Sequence, residues 1–138
     1  MVDMINRERL VKIALEARLK AYSPYSNFCV GAALLCDDGE IFEGANIENS
    51  SYGATNCAER TALFTAVYQG KRSFEAIAIV GAKRGEEVDG FCQPCGICRQ
   101  ALAEFMNADS EIILFNGKDI KVMTMAQMLP ESFDGSKL

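Results

Sequence analysis

Asn56-Cys57-Ala58-Glu59-Arg60 and Gln93-Pro94-Cys95-Gly96-Ile97-Cys98-Arg99-Gln100 are the two segments around which the rest of the chain can be organised. Each places cysteine where a loop gives way to helical periodicity. A helix start carries partial positive charge and free backbone N–H groups, which favour thiolate over thiol. Cys57, Cys95 and Cys98, brought from two such starts, make a three-legged seat for a soft divalent metal and leave a fourth tetrahedral position for water. Glu59 lies two residues beyond the first cysteine, where a carboxylate can reach that water and carry its protons. A metal-activated water beside a proton shuttle is a hydrolytic site. Three thiolates also donate enough charge to blunt the metal as a Lewis acid, and Arg60, with the helix starts, is the positive group available to offset it. Taken alone, Arg60 reads as a surface helix residue in an ion pair.

Outward from these segments, apolar spacing predicts the remaining elements. Leu10, Ile13, Ala14, Ala17 and Ala21 repeat at helical spacing and predict an amphipathic first helix over 6–21, stopped by Ser23-Pro24. A buried strand is expected over 28–35, a hairpin turn at Asp37-Asp38-Gly39 and a returning strand over 40–46. The second helix, 57–68, turns Ala58, Ala62, Leu63, Ala66 and Val67 inward and ends at Gly70. A short, wholly apolar strand over 76–81 suits a sheet interior. Then follow a loop over 83–91, a helix over 95–106, strands over 111–115 and 120–123, and a closing turn of helix over 125–129. The order is αββαβαββ, an α/β arrangement.

Bulk properties set limits. A chain of 138 residues with 49% apolar and 24% charged residues suits one globular domain over 1–138, without a boundary. A net charge of −5 and the lack of a basic block argue against a nucleic-acid partner, whose binding is largely electrostatic. The longest near-apolar run, 28–36, is far short of a membrane span. Asp3, Arg7, Glu8 and Arg9 are unlike a signal or transit peptide. Six cysteines could form three disulfides, but a domain with its own core and no secretory signal is better read as holding a metal or free thiols in a reducing cytoplasm.

A ligand followed two residues later by Glu, and then by P-C-x-x-C, is the signature of zinc-dependent nucleobase deaminases. From about Tyr22 to Phe133 the chain resembles the small homotetrameric cytidine deaminases. Ser23-Pro24-Tyr25-Ser26, Phe28, Val30-Gly31-Ala32-Ala33, Gly44-Ala45-Asn46-Ile47-Glu48-Asn49, the two cysteine segments and Leu129-Pro130 fall in that family's order and spacing. The resemblance implies a three-layer α-β-α sandwich with a central mixed five-stranded sheet. It implies one Zn2+ per chain on Cys57, Cys95 and Cys98, with Glu59 catalytic in the hydrolytic deamination of cytidine and 2′-deoxycytidine, a step of pyrimidine salvage. It also assigns Asn46 and Glu48 to the ribose 3′-hydroxyl and Phe28 to the pyrimidine face. Backbone groups near Ala58 and Cys95 fall to the reacting amine, and Tyr52 and Phe133 to closing the pockets of neighbouring subunits in a homotetramer.

The residues themselves leave alternatives open. Asn46 and Glu48, one residue apart in an extended segment, point the same way and suit a sugar hydroxyl, yet such a pair at a strand end is also a common solvated turn. Phe28, Tyr52 and Phe133 can be ordinary packing, although the polar end over 131–138 offers Phe133 little local core. Cys92 departs from the family pattern. Cys92, Cys95 and Cys98 form C-x-x-C-x-x-C, which with Cys57 could hold an iron–sulfur cluster or a closed four-sulfur zinc. Glu59 would then be half of a capping box with Asn56 at the N-cap. Cys29 and Cys36 are expected in the core.

Overall fold

The apolar runs of the chain become a sheet with strand order β2-β1-β3-β4-β5, in a computed structural model that describes residues 2–138; Met1 of the expected unit lies outside them. The strands are β1 (Phe28–Cys36), β2 (Ile41–Ala45), β3 (Phe74–Lys83), β4 (Met106–Phe115) and β5 (Ile120–Thr124). β1 runs antiparallel to both β2 and β3, β3 parallel to β4, and β4 antiparallel to β5, so the sheet is mixed. β3 is apolar along most of its length because both its faces are covered.

Residue alternation sends the strands' side chains to two separate cores. On one face α1 (Met4–Ala17) packs Leu10, Val11 and Ala14 against Ala33, Ala78, Val80 and Ile113. On the other, α2 (Ala58–Tyr68), α3 (Gly96–Ala103) and α4 (Met125–Met128) pack Ala62, Leu63, Leu102 and Met125 against Leu34, Ile77, Ile79, Ile112 and Leu114. The result is a three-layer α-β-α sandwich. No helix among the described residues is long and apolar enough to cross a membrane.

Two glycines let helices lie directly on strands. A Cβ on Gly31 would stand 2.0 Å from the Ala14 carbonyl oxygen of α1. One on Gly44 would stand 2.3 Å from the Ala58 oxygen and 2.5 Å from the Ala62 nitrogen. The first turn of α2 is therefore seated on β2 with no side chain between them, which sets where Cys57 and Glu59 emerge.

Several element ends differ from expectation. α1 begins early because the Asp3 carboxylate caps it, accepting from the Asn6 N–H, and it gives way after Ala17 to a 3-10 turn, Arg18–Lys20. The third helix ends at Ala103, since the chain enters β4 at Met106, where Ser110 Oγ accepts from the Asn107 N–H and donates to the Phe74 carbonyl. Cys57, not Asn56, is the N-cap of α2. Asn56 is drawn into a bridge with Ile47 and its amide donates to Thr61 Oγ1, so Glu59 is the second helical residue and no capping box forms.

Candidate active site

The starts of α2 and α3 face each other across the end of the sandwich. Cys57 caps α2, Cys95 caps α3, and Cys98 lies in the first turn of α3. Their three sulfurs lie within 4.8 Å of one another, with Cys57 and Cys95 Sγ 3.9 Å apart. A tetrahedral metal with sulfur bonds of about 2.3 Å sets neighbouring sulfurs about 3.8 Å apart, so donor chemistry and spacing both fit zinc. Cys98 is buried, Cys57 half-buried and Cys95 exposed, so the seat is backed by protein on one side and reachable from the other.

Polar contacts brace both helix starts. Thr61 Oγ1 donates to the Cys57 carbonyl. Arg99 Nε donates to the Pro94 carbonyl (2.8 Å) and its terminal nitrogen to that of Met128 (2.9 Å), tying the turn before Cys95 to α4. Arg60 spans the two ligand segments, with Nε donating to Cys98 Sγ (3.4 Å) and a terminal nitrogen to Cys57 Sγ (3.3 Å). Three thiolates around a divalent ion leave one net negative charge, and the guanidinium cancels it.

The sulfurs are electrostatically coupled. A hydrogen bond with Cys98, helped by Arg60, draws the Cys57 thiol down to about 5 against the effect of burial. That bond, burial and the charge of Glu59 push Cys98 upward. The pair thus favours a first thiolate at Cys57, and a cation on the three sulfurs displaces the proton left at Cys98. Glu59 is 4% exposed, and burial raises its carboxyl to about 7, with the Cys57 charge adding to the rise. A cation among the sulfurs works against that rise. Such a carboxyl can change protonation state near neutral pH, as a proton shuttle must.

A second group of residues runs alongside. Ile47 pairs with Asn56, which lays the segment of Asn46 and Glu48 beside the approach to Cys57. Asn46 is buried; its Oδ1 accepts from the Val30 N–H (2.9 Å) and its Nδ2 donates to the Phe28 carbonyl (2.8 Å). Glu48 Oε1 accepts from the backbone N–H of Tyr25 (2.9 Å) and Ser26 (3.1 Å). The pair is therefore built into the loop before β1, and is not a freely solvated turn. The half-buried Phe28 ring and the Cys92 sulfur together fill the space that a Cβ on Gly81 would occupy. A cavity of about 370 Å³ is lined by Tyr25, Ser26, Glu48, Tyr52 and Thr55.

Ala58 is buried at the first position of α2. Tyr52 is 77% exposed, its ring edge-on to Tyr25 at 6.0 Å. Phe133, 64% exposed, is held near α3 through its carbonyl, which accepts from Gln100, and it does not line the Glu48 cavity of its own chain. Cys92 stands outside the three-sulfur group. Burial, with the charges of Glu59 and Cys57, raises its thiol to about 12. Cys29 and Cys36 are core residues.

Ser26, Gly44 and Arg99 contribute to this arrangement without having been singled out from sequence. An isolated glycine in a strand pattern is a signal of close backbone approach, so Gly44 was open to such a reading. Arg99 and Ser26 each pair a near contact, Pro94 and Phe28, with a partner distant in the chain, Met128 and Glu48, that sequence spacing does not disclose.

The chain is similar to known proteins over most of its length. Residues 4–114 match the family described as the cytidine and deoxycytidylate deaminase zinc-binding region. A cytidine deaminase of Sporosarcina psychrophila is 50% identical over 132 residues, covering 95% of this chain and 93% of that protein. One from Halalkalibacterium halodurans is 49% identical over 130 residues, covering 94% and 95%. The crystal structure of cytidine deaminase from Burkholderia pseudomallei superposes with a TM-score of 0.83 at 48% identity, over 91% of this chain and 98% of that one. The chain belongs to the cytidine and deoxycytidylate deaminase zinc-binding family.

Proposed function

We propose that this chain catalyses the zinc-dependent hydrolytic deamination of cytidine and 2′-deoxycytidine, releasing ammonia and the corresponding uridine nucleoside, as a step in pyrimidine salvage. The observation that carries this reading is a buried carboxyl, Glu59, beside a three-sulfur seat with one accessible side. Zinc held by Cys57, Cys95 and Cys98 supplies an acidified water as nucleophile and a fixed positive charge beside the base.

Glu59 takes a proton from the attacking water and delivers it to the ring nitrogen next to the amine-bearing carbon, which makes that carbon more electrophilic. A carbon–oxygen bond forms there. Glu59 then takes the remaining proton from the added hydroxyl and hands it to the exocyclic nitrogen; as the carbon–nitrogen bond breaks, the hydroxyl carbon–oxygen bond becomes the carbonyl and ammonia departs. Aspartate would be too short for this relay, and glutamine carries no proton. Backbone groups at Ala58 and Cys95, on the two helix starts, orient the amine and the developing oxyanion. Phe28 lies against the base, Asn46 and Glu48 hold the ribose, and Arg60 balances the charge of the thiolates.

The exposed rings of Tyr52 and Phe133 support a shared site: in a homotetramer each closes the pocket of a neighbouring subunit. An acidic chain whose thiols are unpaired suits the cytoplasm and a phosphate-free substrate. The decisive experiment is the Glu59→Gln variant, with turnover followed by ultraviolet loss of cytidine and zinc by elemental analysis. It should keep about one zinc per chain and lose at least about a thousandfold in rate. Near-normal turnover with zinc bound would end the proposal.

A further inference from the structure

The loop over 23–28 holds Glu48 through the Tyr25 and Ser26 N–H groups on Oε1 and through one side-chain hydroxyl on Oε2. Ser26 Oγ donates to Glu48 Oε2 and, with its lone pair, accepts from the Phe28 N–H (3.0 Å). The Phe28 carbonyl accepts from Asn46 Nδ2 (2.8 Å), so the backbone of Phe28 is bracketed on one side by Ser26 and on the other by Asn46. Lys83 Nζ donates to the Ser26 carbonyl (2.9 Å) and the Arg84 N–H to the Asn27 carbonyl (2.8 Å), which anchor the loop to the end of β3. With Oε1 held by the two backbone N–H groups, the Ser26 hydroxyl on Oε2 supplies the second point that keeps the carboxylate from turning about its broad terminal torsion. Asn27, the next residue, adopts a left-handed backbone (φ 62°), a conformation asparagine tolerates better than most residues.

We propose that Ser26 is a positioning residue coupling the two ends of the nucleoside pocket, its single hydroxyl orienting the Glu48 carboxylate that reads the sugar while fixing the backbone of Phe28, whose ring lies against the base. The inference rests on the cytidine reading above. A hydroxyl gives and accepts at once, whereas a methyl group does neither. Loss of the hydroxyl therefore loosens sugar and base contacts together, while Glu59, on α2, keeps its place. Binding weakens and chemistry is spared.

The test compares wild type, Ser26→Ala, Ser26→Thr, Glu48→Gln and the Ser26→Ala/Glu48→Gln double variant. It measures KM and kcat for cytidine, and the affinity for uridine by calorimetry, which needs no turnover. Removing a hydrogen bond to a charged group should raise KM for Ser26→Ala by about tenfold or more and weaken uridine by the same factor, with kcat within about threefold. Threonine, which keeps the hydroxyl, should remain within about threefold of wild type throughout. On the Glu48→Gln background the added effect of Ser26→Ala should shrink, because the two residues act as one unit.

Ser26→Ala with KM and uridine affinity within about twofold of wild type overturns the proposal. So does a loss that threonine shares, or one that falls on kcat alone, since both describe a damaged loop. A wild-type protein that neither turns over cytidine nor binds uridine removes the underlying reading and this inference with it. A wild type that does both, beside an indifferent Ser26→Ala, removes this inference alone.

Discussion

Gly44→Ala places one methyl group between β2 and the first turn of α2. The new Cβ would lie 2.3 Å from the Ala58 oxygen and 2.5 Å from the Ala62 nitrogen, both backbone atoms that no rotamer change can move aside. Ordinary contact begins at 3.4 Å, so the helix start must retreat by about 1 Å. Cys57 and Glu59 travel with it, while Cys95 and Cys98 stay on α3. A 3.9 Å sulfur spacing that suits tetrahedral zinc widens, and the carboxyl shifts from its reacting position. Overpacking of this kind costs about 1–3 kcal/mol of stability, and a misplacement of about 1 Å costs about a hundredfold in rate. We expect Gly44→Ala to melt several degrees lower, to surrender zinc to a chelator that wild type resists, and to turn over cytidine about a hundredfold more slowly. Gly90→Ala is the control, because a Cβ there meets nothing within 4 Å. A Gly44→Ala protein with full zinc and wild-type kcat would refute the claim that this contact positions the site.

Arg60→Gln removes hydrogen bonds to two sulfurs and the charge that balances them; zinc affinity, read by competition with a chromophoric chelator, should fall by about 10–100-fold. Cys92→Ser should retain zinc and activity, whereas Cys98→Ser should lose the metal; equal loss in both would mean a four-sulfur site. The Ser26 hydroxyl, with the Ser26 and Tyr25 N–H groups and the charge of Arg84, holds the Glu48 carboxyl below the usual range. Its folded pKa being depressed, the interactions made by the carboxylate persist at neutral pH and fade only as acidity passes below that range. The affinity for uridine, whose ring takes up no proton in this range, should therefore hold as acidity passes an ordinary glutamate value of about 4.3, and a loss centred there would contradict this.

The metal seat was legible because Cys95 and Cys98 lie within one helical turn, and because a cysteine followed two residues later by Glu, and then by P-C-x-x-C, is a deaminase signature; the fold supplies the meeting of Cys57 with the other two. The element order was legible too, since apolar runs such as that over 76–81 announce a strand covered on both faces. The first half of β4 was hidden by Asn107, Ala108 and Asp109, which are exposed and carry no apolar alternation; pairing of Met106 with Phe74 makes them strand. Asn56 is the better N-cap by propensity, yet its pairing with Ile47 passes that place to Cys57. Ser26 stands in the Ser23-Pro24-Tyr25-Ser26 motif, but its role depends on Glu48, 22 positions away, and is not readable from the motif. Exposed rings such as Tyr52 and Phe133 leave no pattern in a single chain that separates an interface from a surface.

The sulfurs of Cys57 and Cys95 stand 38 positions apart along the chain, and the whole of β3 lies between them. A metal joining them ties off that length as a ring, a removable staple across the middle of the sheet. By chain-entropy reasoning, closing such a ring disfavours the unfolded ensemble by about 4 kcal/mol. An ion proposed for chemistry would thereby act as a structural clasp as well, and the resistance of this protein to heat should track the zinc supplied to it.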